Sequence, residues 1–235
     1  MPAATIDLSA ARNPVETETA SVTPKRPLGG GALFALALLS AVAPFGTDLY
    51  LAAFPAMTSD LATTATGVQL SLTAFLVGAG VGQVIFGPWS DRIGRVVPLF
   101  TGLTLFLVAS VVAVAAGSVE ILVIARLVQG IGGAAGMVLG RAIIIDREEG
   151  PTAAGALTIM MMIGGVAPVV APLAGSLLAD AIGWRGLLAG VGALGIVALA
   201  ATLLFVRESL PRDVRIARAP ARRTGGWRAA LALGY

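Results

Sequence analysis

The run VVPLFTGLTLFLVASVVAVAA, residues 96–116, decides the class of this protein. Its 21 residues include no Asp, Glu, Lys or Arg. An α-helix needs about 20 predominantly apolar residues to cross the hydrocarbon core of a bilayer. Arg95 stands directly before the run and Gly117-Ser118 directly after it, so both ends carry boundary signals. The run therefore predicts a membrane-spanning helix.

Five further runs on either side of it meet the same test. The composition agrees, because 57% of the residues are hydrophobic and 12% are charged, about half the charged share of a typical soluble domain. We therefore predict an all-α membrane protein with a six-helix transmembrane bundle over residues 30–206. The six predicted spans are 30–54, 66–86, 96–116, 121–145, 152–179 and 186–205.

The placement of Lys and Arg predicts the orientation of these spans. If the spans alternate in direction, 14 of the 16 basic residues lie on one side, and cytoplasmic loops are the ones enriched in Lys and Arg. Of the other two, Arg185 falls in a loop on the opposite side and Arg126 inside a span. Both termini are therefore predicted to be cytoplasmic.

The two ends of the chain are predicted to lie outside the bundle. Residues 1–29 predict a disordered cytoplasmic tail, and residues 207–235 a basic cytoplasmic linker near anionic headgroups. Lys25-Arg26 and the triplet Ala41-Val42-Ala43 imitate a cleavable signal peptide. However, the apolar run continues past the triplet and Pro44 follows it directly. The positive-inside rule already explains the Arg residues of the linker, so we predict no nucleic-acid partner.

Asp48 and Arg126, which both lie inside spans, are functional candidates. Asp48 lies six residues before Phe54 and Arg126 six residues after Glu120, which places both about 9 Å below the same end of their helices. At matching depth they can form an ion pair or share a water-filled cavity, as a proton-coupling carboxylate requires. Alternatively, Asp48 fringes the membrane boundary and simply meets water.

The connection between the second and third spans is unusually charged. It reads Gly87-Pro88-Trp89-Ser90-Asp91-Arg92-Ile93-Gly94-Arg95. The simpler interpretation is a turn that carries positive-inside charges. The alternative is a polar latch, in which Asp91 meets a helix N-terminus or a neighbouring Arg.

The fifth span contains Gly164, Pro168, Pro172 and Gly175. Two prolines four residues apart remove two backbone donors and are expected to bend the helix. Proline is ordinary in membrane helices, but a pair of prolines bounded by glycines is less so.

The chain contains no Cys and no His. Disulfides, thiolate metal sites and the usual general base are therefore excluded. The sequence also has no Walker-type phosphate loop. We predict that the protein is not an enzyme, that it holds no cofactor or metal, and that a proton gradient supplies its energy.

Four motifs, in the right order, resemble those of the major facilitator superfamily. The charged connection is similar to the signature Gly-x-Leu-(Ala/Ser)-Asp-Arg-x-Gly-Arg-(Arg/Lys), from which Trp89 and Val96 depart. It matches the signature at Gly87, Ser90, Asp91, Arg92, Gly94 and Arg95.

The other three motifs lie in the spans. The run Arg126-Leu127-Val128-Gln129-Gly130 resembles a fourth-helix motif that the family associates with proton transfer. Residues 164–175 look like the fifth-helix antiporter motif, and Asp48-Leu49-Tyr50-Leu51 like a first-helix motif of drug exporters. Ala-Pro-x-x-Ala-Pro at residues 167–172, followed by Gly183-Trp184-Arg185, is most like the bicyclomycin and chloramphenicol resistance subfamily.

The resemblance implies a twelve-span drug:proton antiporter, of which this chain supplies the N-terminal six helices as a three-plus-three inverted repeat. A fragment, a truncated product and a half that pairs with another half all fit the sequence. The implied partners are a small-molecule drug, protons, the lipid bilayer and a second six-helix half. The implied function is efflux of small amphipathic drugs across the bacterial inner membrane. An uptake carrier of the same superfamily and a non-transporting half are the alternatives.

Overall fold

The computed structural model describes residues 28–209, and within that range the chain is helical apart from short connections. The predicted tail and linker lie almost entirely outside the described residues. The elements in chain order are α1 (Gly30–Asp48), a 3₁₀ turn (Leu51–Ala53), α2 (Phe54–Asp60), α3 (Ala65–Ile93), α4 (Val96–Val114), α5 (Val119–Arg147) and α6 (Gly150–Phe205). In this part of the chain five stretches, with α1 and α2 taken together, are long and apolar enough to cross a membrane.

The last two predicted spans are both contained in α6. Its 56 residues correspond to about 84 Å of helix, nearly three times the hydrocarbon thickness of about 30 Å. Gly183 interrupts the helix with φ 65° and ψ 177°, a conformation that favours glycine. It divides α6 into residues 150–182 and 184–205, which confirms the predicted all-α fold with six helices.

The first span is discontinuous, so the uninterrupted helix expected over residues 30–54 is wrong. α1 ends at Asp48, and the chain passes through the 3₁₀ turn before α2 begins at Phe54. Pro55 explains the restart, because proline lacks a backbone N–H and is favoured in the first turn of a helix. Asp48 therefore lies at a break in the span and not in its interior.

The predicted turn over residues 87–95 is also much shorter than expected. α3 continues through Pro88 to Ile93, so that only Gly94 and Arg95 connect it to α4. Gly94 makes the turn with φ 105°. Pro88 does not end α3, because neighbouring groups can satisfy the backbone acceptor that a proline leaves free in a membrane helix.

Glycines set the closest helix contacts. A Cβ at Gly78 of α3 would overlap the carbonyl oxygen of Leu127 in α5, and one at Gly130 would overlap that of Phe75. A Cβ at Gly175 of α6 would likewise overlap the carbonyl oxygen of Leu49. The second span thus packs on the fourth as the fifth packs on the first, which is the relation that a three-plus-three inverted repeat requires.

The outer surface of the bundle is apolar. Side chains such as Val84, Val169, Leu177 and Leu204 are each more than 70% exposed. A soluble protein rarely exposes an apolar surface of this extent, whereas a lipid-facing surface demands it. The protein is therefore a multi-pass membrane protein.

Candidate functional site

Arg126 is the largest fully buried side chain in the described range, with none of its surface exposed. It donates from Nη1 to Oε1 of Gln129 at 2.6 Å and from Nη2 to the carbonyl oxygen of Gly46. Its guanidinium carbon lies 4.6 Å from the ring centroid of Tyr50 and 4.4 Å from that of Phe75. The cation is therefore held between two aromatic faces, an amide and a helix-end carbonyl.

Asp48 lies at the same level, because Arg126 contacts Gly46 and Tyr50 on either side of it. Asp48 is half-buried. Within residues 28–209, however, no ion pair joins it to Arg126. The matching depth expected from the sequence is present, whereas the direct ion pair considered there is not. The guanidinium of Arg126 instead donates to the carbonyl oxygen of Gly46 near the end of α1, since the last carbonyl groups of a helix have no intrahelical donor.

A hydrogen-bonded chain extends from Arg126 across the bundle. Gln129 uses its oxygen for Arg126 and donates from Nε2 to Oγ of Ser110 at 2.7 Å. Ser110 in turn donates to the carbonyl oxygen of Phe106 at 2.7 Å. Gln129 is fully buried, so this chain orients the guanidinium and links α5 to α4. The fourth-span residues Arg126 and Gln129 are thus brought together, and Gly130 of the same motif lies against Phe75 of α3.

Arg95 forms the centre of a second polar cluster, at the end of the bundle that we call the Arg95 end. It donates from Nη1 to Oδ1 of Asp91 at 2.7 Å and to Oγ of Ser90 at 2.7 Å, and from Nε to Oδ2 of Asp146 at 2.8 Å. Burial disfavours its charge, but the hydrogen bond and charge of Asp146, and then those of Asp91, outweigh that effect. The pKa of the Arg95 guanidinium is therefore raised above its ordinary value.

The predicted latch residues have separate roles in this cluster. Asp91 meets the neighbouring Arg95, one of the two arrangements considered above, while the N-terminus of α4 is bound by Glu208, which accepts from the backbone N–H groups of Arg95 and Val96. Gly94 is needed for its positive φ. Arg92 is exposed, and nothing lies within 4 Å of a Cβ built at Gly87.

The fifth-span motif forms the contact with α1. Gly164 lies against Ser40, and Gly175 lies against the backbone of Leu49 beside Asp48. Pro168 is exposed and Pro172 partly so, and neither interrupts the helical dihedral angles of α6. In the described residues the glycines of this motif therefore make its contacts, while the prolines lie toward the outside.

The structure also contains a polar cluster that the sequence did not predict. At the opposite end, which we call the Arg185 end, Asp60 accepts from Nε1 of Trp184 at 2.9 Å and lies 3.6 Å from Nη1 of Arg185. Arg185 also donates to the carbonyl oxygen of Ala116 at 3.1 Å. This cluster and the Arg95 cluster are built alike, since in each an Arg shortly after a positive-φ glycine reaches an Asp on another span. The inverted repeat was the signal in the sequence that could have predicted the second cluster from the first.

The chain matches the family model described as Major Facilitator Superfamily over residues 36–234. It is 38% identical over 185 residues to an uncharacterized MFS-type transporter, YdgK, of Bacillus subtilis, covering 78% of this chain and 46% of that protein. It is 39% identical over 164 residues to a chloramphenicol resistance protein of Pseudomonas aeruginosa, covering 68% of this chain and 38% of that protein. The chain thus spans about half, or less, of the length of these relatives.

A solved structure shares the fold. The crystal structure of the human organic anion transporter MFSD10 (TETRAN) matches with a TM-score of 0.57 at 17% identity, over 79% of this chain and 49% of that one. Relatives named for antibiotic resistance confirm the predicted resistance subfamily. On the family model, the relatives and the fold together, the chain belongs to the major facilitator superfamily.

Proposed function

We propose that the complete protein, of which this chain supplies six helices, exports small amphipathic drugs in exchange for protons. The observation that carries the proposal is the break in the first span. It leaves the half-buried carboxylate of Asp48 beside the fully buried Arg126. An ionisable residue at this depth is energetically costly and therefore indicates a functional site. The resistance named for the relatives supports drugs as the substrate class.

In this proposal Asp48 loads and releases the proton. Arg126 is anchored to Gly46 and Tyr50, so it fixes the backbone on both sides of Asp48 without neutralising the carboxylate directly. The carboxylate is then available to a proton or to a polar group of the substrate, and the two compete for it.

The proposed partner is a second six-helix half. Glycines on the exposed sides of α3 and α6 have nothing within 4 Å of a Cβ built on them, and such glycines let another helix approach closely. They include Gly80, Gly87, Gly155 and Gly165. A second half packed on these faces contacts Gly87, beside which the described residues leave open space.

The Arg95 cluster is the proposed cytoplasmic latch. It ties α3, α4 and α5 to the segment after α6, because Asp146 also accepts from Oγ of Ser209 at 3.2 Å. The latch holds this half as one rigid unit on the cytoplasmic side. The two halves then rock about a pivot that is shaped by Pro168 and Pro172 on the outer side of the fifth span, while Gly164 and Gly175 hold that span against α1. Both termini are cytoplasmic in this arrangement, and the membrane is the bacterial inner membrane.

Two alternatives remain distinct from export. An uptake carrier of the same superfamily would move substrate in the opposite direction, and a non-transporting half would move none. An enzyme is not proposed, because the chain has neither His nor Cys and belongs to a transporter family.

The test compares this chain alone with the chain joined to the second half of the chloramphenicol resistance relative. Chloramphenicol accumulation is measured in everted membrane vesicles with an imposed proton gradient. We expect the joined protein to accumulate drug inside the vesicles and the chain alone to accumulate none. Accumulation in right-side-out vesicles instead would identify an uptake carrier. If the joined protein folds but moves no drug in either orientation, the transport proposal is wrong.

A further inference from the structure

Arg141 is a cation inside a span with no partner among residues 28–209. It lies in α5, six residues before the final residue Arg147, which is about 9 Å along the helix. Its side chain is exposed, and in that range it makes neither an ion pair nor a hydrogen bond. The sequence places it among the positive-inside charges. An Arg near a helix end faces a water-filled cavity, binds a partner or extends to the membrane interface.

The cavity is present. A groove of about 310 Å³ lies between α1, α5 and α6, and Arg141 lines it together with Ser40, Met137, Met160, Met161 and Gly164. This volume is at the lower end of the range for small-molecule sites.

The lining defines the chemistry of a ligand. The hydroxyl of Ser40 lies within hydrogen-bonding distance of the carbonyl oxygens of Ala37 at 2.6 Å and Met160 at 3.0 Å, so it is engaged within the protein. Three methionines supply polarizable side chains that adapt to apolar bodies of different shape. Arg141 is the charged group of the lining, and its planar fork suits a carboxylate or a sulfonate.

The groove is lined by a face of α1 that also carries Asp48, the proposed proton site. Ser40, Pro44 and Asp48 recur every four residues on α1, so they lie on one face of that helix. Asp48 lies eight residues beyond Ser40, about 12 Å along the axis. The cation of Arg141 therefore lies beside the Ser40 end of this helix face, and the carboxylate of Asp48 lies at the other end.

We propose that the Arg141 groove binds the anionic group of an aromatic, amphipathic substrate. The proposal rests on the proposed export function and names a substrate class for it. The competing explanation is that Arg141 forms an ion pair with a carboxylate of the second half. That explanation assigns no ligand selectivity to the groove.

The test uses the 235-residue chain in lipid nanodiscs and two probes with the same ring system, 2-naphthoate and 2-naphthamide. Binding is measured by titration calorimetry against empty nanodiscs. We expect naphthoate to bind about tenfold more tightly than naphthamide, because a charge-assisted bidentate contact is available only to the anion. Arg141→Gln should remove this preference and leave the binding of naphthamide unchanged. Arg141→Lys, which keeps the charge but not the fork, should retain part of it.

Arg185→Gln is the matched control, since it removes one positive charge at the opposite end of the bundle and should keep the full preference. Equal binding of the two probes to the unmodified chain, or a preference that survives Arg141→Gln, would overturn the proposal. So would an equal loss of both probes in Arg141→Gln when its thermal unfolding is unchanged. Since binding is measured without transport, the result is independent of whether the joined protein exports drug.

Discussion

Arg95 and Asp146 join the start of α4 to the last turn of α5, with Nε of the guanidinium 2.8 Å from Oδ2 of the carboxylate. The Arg95 side chain is only 7% exposed and that of Asp146 15%. Removing one partner of an ion pair with this little exposure destabilises the fold strongly, because the remaining charge is buried with neither its partner nor water to stabilise it. The pair therefore makes the Arg95 end a rigid part of the bundle.

Asp146→Ala should lower the free energy of unfolding by about 2 to 4 kcal/mol, since Arg95 keeps Asp91 but loses its second carboxylate. Thermal unfolding in detergent, followed by circular dichroism, measures the change. Arg92→Gln is the control in the same motif, because Arg92 is exposed, and it should change stability by less than about 0.5 kcal/mol. Equal effects of the two substitutions would show that the latch geometry is not the cause.

The stabilisation by Arg95 should not vary with pH across the neutral range. The pKa of its guanidinium is raised in the folded chain, so its contribution is fully present below the unfolded-state value and is lost only as pH rises through the folded-state value. Both values lie far above neutrality. The stability difference between the unmodified chain and Arg95→Gln should therefore be the same at about pH 6 and about pH 9. A difference that grows or shrinks across this interval would contradict the assignment.

Gly130→Ala should separate α5 from α3, because the new Cβ would overlap the carbonyl oxygen of Phe75. Backbone groups cannot move aside as a flexible side chain can, so we expect a loss of about 2 kcal/mol or more. Gly80→Ala on the exposed side of α3 is the matched control, with nothing within 4 Å of its Cβ. In the chain alone it should leave the melting temperature unchanged or slightly raised. When the two halves are co-expressed as separate chains, the same substitution should weaken their association, which co-purification of separately tagged halves would detect.

Gln129→Leu tests whether the position of Arg126 depends on its hydrogen bonds to Gln129 and, through it, to Ser110. The substitution leaves Nη1 of Arg126 without its acceptor, at a cost of about 1 to 3 kcal/mol for an unsatisfied buried group, while the hydroxyl of Ser110 keeps its bond to Phe106. We expect reduced stability together with reduced drug export by the joined protein. Ser110→Ala, which removes only the far end of the chain, should have the smaller effect on both. If Gln129→Leu is neutral for stability and export, the guanidinium is held by Gly46 and the aromatic rings alone.

The sequence was sufficient to predict the number of helices, since an uninterrupted apolar run has only one stable form in a bilayer. It also placed Asp48 and Arg126 at one level, because the depth of a residue follows from helical rise. It could not predict which groups Arg126 binds, since a broken helix offers free carbonyls that no hydropathy pattern reveals. The latch shows the same limit: Asp91 was visible in a motif, whereas Asp146 lies 51 positions from Arg95 in the chain and only the packing brings them together. The groove beside Arg141 was not predictable either, because a loop charge and a groove charge near a helix end look alike in sequence.

The central claim is that Asp48 carries the transported proton. The measurement that tests it most directly is drug-induced proton release from vesicles containing the joined protein, with and without Asp48→Asn, which keeps the size and polarity of the side chain but cannot titrate. We expect the unmodified protein to release protons when chloramphenicol is added, and Asp48→Asn to bind the drug still but release none. Full proton release and export with Asn at position 48 would contradict it, and the coupling group would then have to lie elsewhere in the complete protein.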